Sequence, residues 1–280
     1  MYWQTSRRKI ALERPLVMGI LNVTPDSFSD GGKFAAVDDA LAQAEAMIAE
    51  GADIIDIGGE STRPGSQQIA VGEEISRVVP VIEAINKRFD IPVSVDTTKS
   101  GVALAAVDAG AEIVNDISGL RFDDKIADAA AILNAGLVLM HSRGAFDSMH
   151  SQPPVDDILA EVASGLRRSI DVAHSHGVGD EQIVLDHGIG FGKTQEQNLE
   201  LLAKLDKLVS EFANYPVLVG ASRKSFIGKL MDGAPVDARL SGSVAAAIIA
   251  IQNGAMIVRV HDVKETVAAL RTAAAVEAAK

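Results

Sequence analysis

Short apolar runs that end in a polar residue recur along this chain. Residues 17–22, 53–58, 92–96, 112–116, 137–141, 183–186, 216–222 and 256–261 are rich in Val, Ile and Leu, and each carries its polar residue at or near its carboxyl end. Runs this short, apolar on both faces, predict buried parallel strands. The stretches between them follow a helical period. Val37, Ala40, Leu41, Ala44, Met47 and Ile48 fall on one face of a helix over 37–50. Ile75, Val78, Val79, Ile82, Ile85 and Phe89 repeat the pattern in the next. Eight strands alternating with helices predict the α/β class and a closed (β/α)8 TIM barrel as one domain over 1–280. Residues 1–14 precede the first strand and are expected to form a short hairpin that caps the barrel bottom. Glycines 51, 110, 136 and 254 stand just before or at the start of strands, where a left-handed residue ends a helix and turns the chain back.

A barrel of this kind does its chemistry at the carboxyl ends of its strands. Here those ends supply Asn22, Asp56, Asp96, Asn115, Asp116, His141, Asp186, Ser222, Arg259 and His261. The stretches after the first, second and fifth strands, about 24–32, 59–72 and 142–154, exceed the usual length of about 2–6 residues and predict binding loops or lids.

A length of 280 residues suits one barrel of about 250. A net charge of −12 argues against nucleic acid as a partner, though local Arg and Lys leave an anionic substrate open. The absence of cysteine excludes disulfides and thiolate catalysis. No apolar run approaches the roughly 20 residues of a membrane span, so no membrane association is expected, and the expected location is the cytoplasm.

Several motifs carry chemistry. Gly188-Ile-Gly-Phe-Gly-Lys-Thr194 looks like a nucleotide loop but fails both patterns: His187 stands where a P-loop needs glycine, and Lys193 replaces the third glycine of a dinucleotide fingerprint. Its glycines would instead let backbone approach a flat ligand, with Phe191 stacking on it. Ser222-Arg-Lys-Ser225 opens a helix after a strand, which makes an anion site. Arg63, Arg259 and His261 add cations at other strand ends, and together they suggest a di-anionic or pyrophosphate group plus a carboxylate. Asp96, Asn115, Asp116 and Asp186 form either a paired structural network or a site for the guanidine-like edge of a pterin or guanine. His174-Ser-His176 is expected to cap a helix end rather than to bind metal. A hard cation held by Asn22 and phosphate oxygens fits the habits of Mg²⁺.

Taken together, Met18–Gly32, Asp56–Gly65, Ser94–Thr98, Asn115–Gly119, Leu185–Lys193, Ser222–Gly228 and Arg259–Val263 resemble the dihydropteroate synthases, in that family's order and over nearly the whole chain. The resemblance implies a barrel, usually dimeric. It implies condensation of 7,8-dihydropterin-6-ylmethyl diphosphate with 4-aminobenzoate, with Mg²⁺, and competition by sulfonamides. Carried over by motif, Asp96, Asn115, Asp186 and Lys224 would hold the pterin, with Thr62 and Arg259 beside them. Met140, Phe191 and Gly220 would line its faces. Asn22 would bind the metal. Thr62, Arg63, Arg259 and His261 would hold the diphosphate or its surroundings. Phe28, Arg63, Pro64, Phe191 and Ser222 would form the aminobenzoate site, and Asp96, Lys224, Arg63, Arg259 and His261 would carry catalysis. A methyltetrahydrofolate-binding methyltransferase, which shares the barrel and pterin pocket, is the alternative. His187, Ser142 and His150 depart from the family's commoner residues, beside the pterin pocket and its rim.

Overall fold

The computed structural model describes residues 1–24, 32–63 and 65–279. A small antiparallel hairpin, β1 (Tyr2–Gln4) and β2 (Lys9–Ala11), comes first. Eight parallel strands follow: β3 (Leu16–Asn22), β4 (Ile54–Gly58), β5 (Val93–Asp96), β6 (Ile113–Asp116), β7 (Gly136–Met140), β8 (Ile183–Asp186), β9 (Val217–Val219) and β10 (Ile257–Val260). Each pairs with the next, and β10 pairs with β3 to close the barrel. Ten helices are described: α1 (Gly32–Glu50), α2 (Val71–Arg88), α3 (Ser100–Asp108), α4 (Lys125–Leu133), α5 (Ile158–Ser175), α6 (Gln195–Ala203), α7 (Leu205–Glu211), α8 (Ser225–Leu230), α9 (Leu240–Gln252) and α10 (Val263–Glu277). The fold is the predicted (β/α)8 barrel, and the predicted strands lie within a few residues of the observed ones.

Strand alternation divides the apolar residues into two cores. Those facing outward, such as Ile55, Ile57, Leu137 and Leu139, pack with the helices in the main core, where Ala40, Ala44 and Met47 of α1 and Val78, Ile82 and Ile85 of α2 are buried as their spacing predicts. Those facing inward, Met18, Ile54, Ile113, Val138, Val184, Leu218 and Ile257, fill the amino end of the barrel. Trp3 completes this second core. It is fully buried, and its indole N–H donates to the Gln182 carbonyl at 2.7 Å.

Gly51, Gly110 and Gly254 take positive φ (102°, 111° and 98°), as a chain reversing before a strand requires. Gly136 does not. The left-handed residue ahead of β7 is Asn134, at φ 51°. At Gly136 the constraint is space, since a Cβ would lie 3.0 Å from the Trp3 indole.

Because Trp3 fills the amino end of the barrel, Trp3→Ala is expected to cost about 3–5 kcal/mol. Urea unfolding at neutral pH reads this directly, and an unchanged midpoint would mean that the hairpin adds nothing to the core.

Candidate active site

The carboxyl ends of the strands form a polar mouth organised around Arg259 on β10. Its Nε donates to Asp56 Oδ2 at 2.5 Å and a terminal nitrogen donates to Asp96 Oδ2 at 2.7 Å, so one guanidinium joins β10 to β4 and β5. Asn115 on β6 donates to the same Asp56 oxygen at 3.1 Å, while Asp56 Oδ1 has no partner. Burial works against the Arg259 cation, but Asp56 and Asp96 outweigh it and hold it charged. Burial likewise raises the Asp96 carboxyl, with Arg259 opposing. The paired network and the pterin-type site left open by the sequence are therefore not exclusive, because the pairing is what sets these groups in the mouth.

Asp186 lies across from this network. Its Oδ1 accepts from the Gly188 N–H at 2.7 Å, and burial raises its pKa while Lys224 opposes. The other oxygen borders Gly220, where an added Cβ would lie 3.8 Å from both Asp186 Oδ2 and Arg259. Lys224, in the turn before α8, donates to the Ile189 carbonyl and lies 4.5 Å over the Phe191 ring. Burial lowers it to about 8, with Asp186 holding the proton on. Phe191 packs with Ile117, Met140 and Met149 to form an apolar wall. Ser222 accepts from the His261 N–H at 3.2 Å and contacts its Nδ1 at 3.1 Å. Burial, then Arg259, lowers His261 to about 3, so its ring is neutral. Arg63 is exposed on the loop after β4. Asn22 ends β3, and the open space beside Gly58 lies 3.5 Å from its Oδ1 and 3.9 Å from Asp96 Oδ2. Phe28 and Pro64 lie outside the described residues.

Several expectations from the sequence change here. Asp116 does not face a ligand, because its two oxygens accept from the Ser118 and Leu120 N–H groups at 2.8 and 2.6 Å. His141 is turned out of the barrel against Gly165 of α5. The Ser222–Ser225 turn does not gather its cations into one anion site: Arg223 pairs with Asp262, while Lys224 turns to Phe191. The glycines of the Gly188–Gly192 loop make room for the protein's own chain, His141, Lys224 and Arg143. All three of its glycines have positive φ, and a Cβ at Gly188 would overlap the His141 carbonyl. In keeping with the failed P-loop pattern, Lys193 is no phosphate lysine: its Nζ donates to the carbonyls of His141, Gly188 and Phe191 at 3.2, 2.8 and 3.0 Å. His174 and His176 at the end of α5 contact Asp180 and Asp128, each at 2.7 Å. Among the described residues no cluster of three or more His, Cys, Asp or Glu is disposed to hold a metal.

Two features went unseen in the sequence. Lys99 bridges Glu60 and Glu74 at 2.7 and 2.6 Å, and Glu60 also accepts from the Ile69 N–H at 2.6 Å, so this cluster pins the long loop after β4. Nothing in the local pattern around Lys99 signals it. His150, on the loop after β7, contacts the Thr62 carbonyl at 2.8 Å and the Gly190 carbonyl at 3.3 Å, joining three rim loops. A neutral imidazole donates to only one of two carbonyls.

The profile of the pterin binding enzyme family matches residues 18–261. The chain belongs to the pterin-binding enzymes. It is 50% identical over 253 residues to the dihydropteroate synthase of Bacillus subtilis, covering 90% of this chain and 85% of that protein. The dihydropteroate synthase of Xanthomonas albilineans, solved with 4-aminobenzoic acid, superposes with a TM-score of 0.92 at 45% identity over 99% of both chains. That of Yersinia pestis, solved as a sulfonamide drug complex, gives 0.92 at 44% identity over 100% of both. The family match therefore spans the strands that build the mouth.

His187 generates a stability prediction. It is fully buried, neither ring nitrogen has a partner, and burial, with Lys193 adding, lowers its pKa to about 3 from 6.5. Between those values the unfolded chain takes up a proton that the folded one refuses, so stability falls as pH falls below 6.5. His187→Leu removes this one contribution. Measured by urea unfolding at pH 7.5 and 5.5, the variant should gain on wild type by roughly 1 kcal/mol at the lower pH. Parallel pH dependence would show that His187 is charged in the folded protein.

Proposed function

We propose that the mouth condenses 7,8-dihydropterin-6-ylmethyl diphosphate with 4-aminobenzoate, giving 7,8-dihydropteroate and pyrophosphate in folate biosynthesis, as a transferase of the dihydropteroate synthase kind. The observation that carries the assignment to this mouth is the free Asp186 oxygen beside the open shelf at Gly220, with Lys224 over Phe191 on one side and the Arg259 network on the other. A carboxylate that only accepts suits the paired N–H donors of a pterin ring. Asn115 and Asp96 would hold the rest of that ring, Met140 and Phe191 its faces, and Lys224 a ring acceptor.

The reaction needs no protein nucleophile. The C–O bond to the diphosphate breaks, the electron-rich ring stabilises the methylene cation, and the aminobenzoate nitrogen closes on that carbon and gives up a proton. Thr62, Arg63, Arg259 and His261 would hold the departing anion or its surroundings. Lys224 and Phe191 would fix the ring, and Ser222 with Arg63 would position the aminobenzoate. The rim loops, joined through His150, would exclude the water that otherwise captures the cation. Mg²⁺ is part of this proposal. Asn22 offers an amide oxygen with no partner among the described residues, next to the Asp96 carboxylate, which suits a hard cation that takes few protein ligands. When bound, such an ion would neutralise diphosphate charge.

A homodimer belongs to the same proposal. Its support is the apolar outer face of α9, where Leu240 and Ile249 are exposed and Val244 and Ile248 are half-buried; sedimentation tests it. A cytoplasmic setting is supported by an acidic chain without cysteine. No described helix is long and apolar enough to cross a membrane.

The deciding assay is pyrophosphate release from dihydropterin diphosphate and Mg²⁺, with and without 4-aminobenzoate. Release that requires the amine and yields dihydropteroate is the expected result; pterin binding with no amine-dependent release would refute the reaction. Asp186→Asn replaces an acceptor by a donor where ring N–H groups point, and should weaken pterin binding by about ten- to a hundredfold in titration calorimetry. Unchanged affinity would take Asp186 out of the pocket.

A further inference from the structure

Outside the barrel wall, behind β7, lies an open cavity of about 180 Å³ between the start of the β7–α5 loop, the turn after β6 and one face of α5. Met140 borders both this cavity and the mouth, but the polar lining is turned away from the mouth, because side chains alternate along β7: Met140 packs inward against Phe191 while His141 points outward to Gly165. The glycine in mid-helix is what admits the imidazole, since any Cβ there would overlap it.

Three arginines line this cavity, Arg121, Arg143 and Arg168, against a single acidic group, Glu161. None of the three has an ion-pair partner among the described residues. Arg121 donates to Ser142 Oγ at 3.0 Å and the Gly144 carbonyl at 2.8 Å, Arg143 to the Pro153 and Gly192 carbonyls at 2.7 and 2.8 Å, and Arg168 to Ser164 Oγ at 2.8 Å. On a chain of net charge −12, three neighbouring guanidiniums with only neutral partners are an unbalanced cluster. Burial, together with the charge of Arg168, lowers Arg121 in spite of Asp116. A second observation is independent of the arginines. His141, also in the lining, is only 5% exposed, and its Nδ1 has no partner. The Ser142 hydroxyl accepts from Arg121, which leaves its own proton free to donate. The lining is thus rich in donors and short of acceptors, and guanidiniums match phosphate oxygens in charge and geometry.

We propose that this cavity is a binding site for a small phosphate-class oxyanion, separate from the barrel mouth. The inference does not rest on the proposed reaction. The site is joined to the mouth all the same, since Arg143 holds the carbonyl of Gly192, next to Phe191, and Arg121 holds the start of the loop that carries His150. An anion drawing the three guanidiniums together would tighten those rim loops.

The test uses the full chain, with inorganic phosphate and pyrophosphate in parallel titrations against chloride at equal ionic strength, followed by calorimetry and thermal unfolding. Arg168→Gln and Arg121→Gln alter exposed side chains outside the mouth, while Arg63→Ala removes an exposed cation of the mouth. The expected result is phosphate binding that falls roughly tenfold in Arg168→Gln and in Arg121→Gln and persists in Arg63→Ala. Pyrophosphate following the same pattern would extend the ligand class to the diphosphate. Binding lost in Arg63→Ala but intact in both arginine-to-glutamine variants would assign the anion to the mouth and overturn the proposal. So would the absence of any phosphate-specific binding or thermal shift.

Discussion

Closure of the barrel is the constraint on which the site depends, and Arg259 is where closure meets chemistry. β10 completes the ring by pairing Ile257 with Leu16 and Val260 with Gly19, which brings Arg259 to the mouth within reach of β4 and β5, whose Asp56 and Asp96 lie 203 and 163 residues earlier in the chain. From there one side chain reaches both Asp56 and Asp96. Without closure, two largely buried carboxylates would stand without a cation, at a cost of several kcal/mol each. With it, the charges hold one another in place, and Asn115 is drawn in through Asp56.

The strands were legible because a buried parallel strand has no polar face to break its apolar run, and because the polar residue at its carboxyl end stands out against that run. Asp53-Ile-Ile-Asp-Ile is a case in point. Asp56 sits in the middle of an apolar stretch, is fully buried, and proves to be the hub of the network. What stayed hidden was direction. His141 and Asp116 end their strands as the others do, yet alternation and a tight turn send one outside the wall and lock the other onto backbone N–H groups. The sequence of the Gly188–Lys193 loop likewise suggests room for a ligand, but only the packing of His141, Arg143 and Lys224 against it shows what its glycines avoid. The partners of Lys99 and His150 come from distant loops, which no local pattern encodes.

The buried titratable groups of the mouth fall into two sets. Asp96, Asp186, Lys224 and Arg259 oppose burial on one another through their opposite charges: the carboxylates outweigh it at Arg259, while at Asp96, Asp186 and Lys224 burial still raises the carboxyls and lowers the amine. His187 and His261 are instead held neutral. A neutral His261 adds no charge beside Arg259, but it still donates or accepts a hydrogen bond through the nitrogen that Ser222 does not engage. An anion arriving nearby would raise its pKa, so the ring is suited to gain a proton as charge accumulates rather than to carry one beforehand.

This arrangement bears on how an unliganded mouth is prepared for a flat, polar ligand. Asp96 and Asp56 are already oriented by Arg259, and Asp186 by the Gly188 N–H, so the acceptors need not reorganise when ring donors arrive. Preorganised charges of this kind, in a site that excludes water, stabilise developing charge more than mobile ones do. The cost of holding them falls on the scaffold: three glycines, Gly188, Gly190 and Gly192, in a left-handed conformation, and a buried lysine, Lys193, whose side chain is satisfied by backbone carbonyls alone. Lys193 gains nothing for a ligand by direct contact. Its effect is to fix the loop that carries Phe191, so that the ring beneath Lys224 presents one face to the mouth.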